Sequence, residues 1–89
     1  MEIDQDKFFE GTGLQRCAFD GIICYLGSDG CYYRIDHFAN TYVIEYIEDE
    51  AYAKLGSFDD ADRFDDDLPE EELIRQVKEA VLSYVNDKD

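Results

Sequence analysis

The chain has 89 residues, with 23 acidic against eight basic side chains and a formal net charge of −15. Hydrophobic residues make up 45% and aromatics 15%, enough for one core and too many for a disordered acidic tail, so a single domain over residues 1–89 is expected. The charge disfavours direct contact with nucleic acid or anionic lipid. No apolar run reaches the roughly 18 residues that span a bilayer. The acidic start, Met-Glu-Ile-Asp-Gln-Asp-Lys, lacks the basic and apolar regions of a secretory signal, so a cytoplasmic location is expected.

Residues 2–10 carry Ile3, Phe8 and Phe9 among charges, the pattern of a short N-terminal helix docked by its phenylalanines and ended by Gly11 and Gly13. Arg16 to Leu26 is rich in β-branched, aromatic and cysteine residues and predicts one strand. Gly27-Ser28-Asp29-Gly30 is a turn signal. Cys31 to Phe38 then alternates, with Cys31, Tyr33, Ile35 and His37 on one face and Tyr32, Arg34, Asp36 and Phe38 on the other. A turn near Ala39-Asn40-Thr41 leads to a third strand, Tyr42 to Ile47, in which Glu45 is expected to point outward. This third strand is the one expected to present a free edge, to a second copy or to a partner.

Glu48 to Leu55 predicts one or two helical turns stopped at Gly56, and Ser57 to Asp67 predicts an acidic loop. Asp67-Leu68-Pro69-Glu70 opens a C-terminal helix: Asp67 can cap free N–H groups, Pro69 suits the first turn, and Glu70 to Glu72 complement the helix dipole. Leu73, Val77, Ala80, Val81 and Tyr84 recur at helical spacing, with Ile74 and Val85 widening the stripe. Fraying is expected over Asn86 to Asp89. The fold class is therefore α+β: a three-stranded antiparallel β-meander packed against a C-terminal amphipathic helix, with a short N-terminal helix.

Enzyme chemistry has little to stand on, because phosphate loops, nucleophile elbows and paired-histidine metal motifs are missing. No enzyme activity and no cofactor are expected. Cys17, Cys24 and Cys31 are spaced evenly, without the close pairs of a zinc site, and read as free packing cysteines. With the turn at Gly27 to Gly30, Cys24 is expected opposite Tyr33 and Cys31 opposite Leu26, which pairs no two thiols. The single histidine, His37, reads as a strand residue. Asp60, Asp62, Asp65, Asp66 and Asp67 offer hard oxygen ligands, but an EF-hand needs a ligand where Phe64 stands and a glycine where Asp65 stands. Weak cation binding is the most this run supports, and no dedicated metal site is expected.

The remaining feature is the concentration of acid. Glu45 to Glu72 holds thirteen carboxylates against Lys54 and Arg63, a net −11 that costs folding energy through self-repulsion. Tyr46, Tyr52, Phe58 and Phe64 lie among them and can supply the anchors that acids alone cannot. Glu70 to Glu72 and Asp67 have a structural reason at a helix start, which leaves Glu48, Asp49, Glu50, Tyr52, Phe58, Asp59, Asp60, Asp62, Phe64, Asp65 and Asp66 as the expected partner-binding residues. Such a surface suits a basic protein: a toxin, a nuclease or a CRISPR effector.

The run Tyr42-Val43-Ile44-Glu45-Tyr46-Ile47-Glu48-Asp49-Glu50-Ala51, with Phe58-Asp59-Asp60-Ala61-Asp62 and Leu68-Pro69-Glu70-Glu71-Glu72-Leu73-Ile74, resembles small acidic immunity proteins of bacterial polymorphic toxin systems over roughly residues 40–85. The resemblance implies a cytosolic, non-catalytic antidote that binds one toxin tightly. Small phage-encoded anti-CRISPR proteins, acting as nucleic-acid mimics on a defence nuclease, share the size and acidity and form the alternative expectation. A monomer or weak homodimer is expected.

Overall fold

The computed structural model describes residues 3–87. Helix α1 (Asp6–Phe9) precedes β1 (Gln15–Phe19), β2 (Ile22–Leu26), β3 (Tyr32–Phe38) and β4 (Thr41–Ile47). Helix α2 (Glu50–Lys54), β5 (Asp59–Asp65) and α3 (Glu70–Asp87) follow. The strands form one antiparallel sheet in the order β1-β2-β3-β4-β5, each pairing with its sequence neighbour. The class is α+β, with the C-terminal and short N-terminal helices expected, but the sheet has five strands rather than three. Two parts of the predicted helices, Glu2 and the frayed end at Lys88 and Asp89, lie outside the described residues.

Both extra strands have a local cause. The segment Arg16 to Leu26 is a hairpin, because Asp20 and Gly21 adopt φ of 53° and 90° between Phe19 and Ile22. Two successive left-handed residues at an Asp-Gly pair make the tight turn whose twist suits antiparallel strands. The acidic loop is β5. Aspartate is a poor strand former, but Tyr42 pairs with Phe64 and Ile44 with Asp62, and β4 dictates the conformation. A bulge between Ile44 and Glu45 leaves Ala61 as an extra residue. Ala61 and Phe64 pack against the core. Strand β4 is thus interior, and the free edges belong to β1 and β5 rather than to Tyr42–Ile47.

The β2–β3 register also differs by one residue from expectation: Tyr25 faces Tyr33 and Leu26 faces Tyr32. The Gly27 N–H donates to the Cys31 carbonyl at 2.9 Å, closing a longer turn. Below those two pairs the strands separate, and the Gln5 amide spans the gap, accepting from the Ile35 N–H at 2.9 Å and donating to the Ile23 carbonyl at 3.3 Å. Buried backbone groups need such partners, so α1 is tied to the sheet by a side chain as well as by packing.

Each sheet face has its own apolar cluster. On one, Leu73, Val77, Val81 and Val85 of α3 pack on Tyr33, Ile35, Tyr42 and Ile44, with Phe8 and Phe9 of α1 completing the layer. Phe9 stacks on Tyr25 with ring centroids 4.0 Å apart. On the other face Cys24, Tyr32 and Ala53 are buried together, with Cys17, Phe19, Leu26, Ile47 and Phe58 around them. Helix α2 is five residues long and could not persist alone; its Ala53, fully buried, seats it on this second cluster.

Leu73 is 1% exposed at the centre of the larger cluster. Leu73→Ala is expected to lower unfolding free energy by about 3 kcal/mol through lost burial and a residual cavity. Urea denaturation measures this, and a loss below about 1 kcal/mol would contradict the placement of Leu73.

Candidate acidic interaction site

Strands β4 and β5 run antiparallel, so the end of β4 and the start of β5 lie together at one end of the sheet. This joins two acidic runs separated in sequence. Tyr46, Ile47, Glu48, Asp49, Tyr52 and Asp59 line one open cleft of about 270 Å³. Its rim is held firmly. The Asp49 carboxylate accepts the Ala51 N–H at 2.8 Å and caps α2. Glu50 pairs with Lys54 at 3.0 Å and accepts from the Tyr32 hydroxyl at 3.4 Å. The hydrogen bond from Lys54 holds the Glu50 carboxyl below its usual range. Tyr52, on this helix, is 52% exposed although large and aromatic.

The structure distributes the expected partner residues unevenly. Glu48, Asp49, Tyr52 and Asp59 share the cleft. Asp60 is bound by Arg63 at 2.7 Å, Asp62 accepts the Arg63 N–H at 2.9 Å, and Asp65 is exposed at the far end of the β5 edge. The Asp66 carboxylate lies 3.0 Å from His37 Nε2 as its hydrogen-bond acceptor, and the His37 ring stacks on Tyr42 at 4.2 Å. Asp66 therefore belongs to the opposite end of the sheet from Asp59. Phe64 faces the α3 side and packs on the core rather than serving as a surface anchor. Among the described residues Asp59 and Asp65 make no ion pair, which leaves their charge to the surroundings.

Phe58 has a role that sequence reasoning missed. It lies beneath Arg34, whose guanidinium carbon is 4.5 Å from the ring centroid. Arg34 Nε donates to Glu45 at 2.6 Å, and its Nη2 reaches the Gly56 carbonyl at 3.5 Å. Glu45 is 7% exposed, so it points into the second face and not outward. Burial raises the Glu45 pKa above its ordinary 4.5, against the lowering effect of Arg34, and the nearby Asp36 and Asp60 push the same way. One arginine thus ties β3 to β4, to the segment after α2 and to the approach of β5. The signal was present in the sequence: a two-residue turn at Ala39-Asn40 places Arg34 directly opposite Glu45.

Elsewhere the acid is structural or dispersed. Arg75 binds Glu72 and Glu79 along α3, and its hydrogen bonds hold the Glu72 carboxyl down to about 2. Successive β5 aspartates project to alternate faces of an extended strand and cannot converge as a loop's ligands do. Among the described residues no group of three or more His, Cys, Asp or Glu is placed to hold a metal ion, and no helix is long and apolar enough to cross a membrane. No protein-family model, curated protein or solved structure matches the chain.

The pair Arg34–Glu45 gives a signed pH test. The folded pKa of Glu45 stands above its unfolded value, so its contribution to stability declines as pH rises through that raised pKa. Arg34→Met leaves the carboxylate buried without its cation and raises the folded pKa further. Urea unfolding of this variant should show a loss of about 3 kcal/mol at pH 8 and a smaller loss at pH 5. A deficit as large at pH 5 as at pH 8 would contradict the role given to Glu45.

Proposed function

We propose that the protein is a non-catalytic acidic inhibitor that binds a basic protein, a toxin or nuclease, and covers its nucleic-acid-binding or active surface in the manner of an immunity protein. The observation that carries this reading is the cleft in which Glu48, Asp49 and Asp59 surround an exposed Tyr52. A lysine or arginine of the partner entering there meets carboxylates from two chain segments and the face of an aromatic ring. Both attractions act on the same cation.

Two further properties support it. The net charge of −15 speeds encounter with a positive surface and sets its orientation, an effect that fades with salt. The cleft is also built on ordered elements, since α2 is capped by Asp49 and seated by Ala53. A rim that is already ordered loses less conformational freedom on binding than a loop does. Below the cleft, the edge strand β5 carries the exposed Asp60, Asp62 and Asp65, so the acidic field continues along the sheet edge. The same charges blunt that edge against pairing with other strands.

The test is calorimetric titration with basic nuclease and toxin domains, beginning with any found encoded next to this gene, at several salt concentrations. Binding should weaken steeply with salt. Tyr52→Ala should reduce affinity about 30-fold as a central anchor, and Glu48→Gln with Asp59→Asn should reduce both affinity and salt dependence. Asp65→Asn, remote from the cleft, should change affinity little. Unchanged binding by the cleft variants, with circular dichroism showing an intact fold, would overturn the reading.

A further inference from the structure

The hairpin that the structure reveals in the first half of the sheet brings two thiols face to face. Cys17 on β1 and Cys24 on β2 are direct cross-strand partners. Both belong to the cluster under α2, so they share one face of the sheet. Directly opposed antiparallel residues have Cα atoms about 4.5–5.5 Å apart, inside the roughly 4.4–6.8 Å that a disulfide spans. Cys31 packs in the cluster on the opposite face and is excluded from this pairing. None of the three is disulfide-bonded in this structure.

We propose that Cys17 and Cys24 form a reversible intramolecular disulfide that fastens the β1 edge strand to the sheet. The two thiols are unequal. Cys24 is fully buried, whereas Cys17 is partly exposed. Burial, with the neighbouring Cys17 next, pushes the Cys24 thiol up to about 11. Cys17 is therefore the entry point. Its thiolate attacks one sulfur of a small disulfide such as oxidised glutathione, breaking that S–S bond and releasing one glutathione thiol. Cys24 then attacks Cys17 Sγ, and the second glutathione leaves as a thiol carrying the Cys24 proton. Two protein thiols are oxidised and one glutathione disulfide is reduced to two thiols. The ring closed spans only the hairpin, and β1, an edge strand, is paired in the sheet with β2 alone.

Incubation of the native protein with oxidised glutathione, followed by alkylation and mass spectrometry, tests this. The expected product is a monomer lighter by about 2 Da, the two hydrogens lost on disulfide formation, with one cross-linked peptide joining Cys17 to Cys24. Cys31→Ser should form the same link, and Cys17→Ser, at the partly exposed position, should form none. The oxidised protein should melt at a higher temperature than the reduced one and return on adding dithiothreitol. A stable glutathione adduct on Cys17 without the link would overturn the proposal. So would a dimer bridged through Cys17, or a link that contains Cys31.

Discussion

The β4–β5 ladder is the constraint on which the rest of the molecule depends. Strand β5 reads Asp-Asp-Ala-Asp-Arg-Phe-Asp, and nothing in its own propensities favours an extended, paired conformation. Ala61 and Phe64 turn to the core, the bulge beside Ile44 and Glu45 lets them do so, and the backbone of β4 supplies the hydrogen-bonding partner. Four carboxylates are thereby fixed along a sheet edge instead of drifting in a loop. Hydrophobic docking of two side chains organises a charge distribution that on its own opposes folding.

Arg34 supports that arrangement from the other face. A buried ion pair stabilises little by itself, because desolvation offsets the attraction. Its consequence here is geometric. By holding Glu45, the Gly56 carbonyl and the Phe58 ring at once, Arg34 fixes the path between α2 and β5. That path returns Asp59 to the side of Glu48, Asp49 and Tyr52, which lie before and within α2. The acidic cleft and the half-buried Arg34 are parts of one construction.

The amphipathic stripe of α3 was legible because Leu73, Val77, Val81 and Val85 obey a helical period and are all buried. The face assignment of β3 was legible for the same kind of reason, with Tyr33 and Ile35 in the larger cluster and Tyr32 in the one on the other face. The β1–β2 hairpin was missed because Arg16 to Leu26 reads as one stretch of strand-forming residues, although Asp20-Gly21 marks its turn. Strand β5 was missed because its conformation comes from a neighbour and not from its residues. Phe64 looked like an anchor for that reason: in a loop it would be exposed, whereas in a paired strand its direction is set by Tyr42 opposite. The acidic region was legible as a region, but its division into paired and available carboxylates needed the positions of Lys54, Arg63 and His37.

The cleft and the acidic edge make a specific claim about where a basic partner would sit. Hydrogen–deuterium exchange of the protein, free and bound to that partner, tests it most directly. Slowed exchange is predicted over residues 46–52 and 58–60, with β1 and the solvent side of α3 unchanged. Protection concentrated on β1 or α3, with residues 46–52 and 58–60 exchanging as in the free protein, would contradict the account.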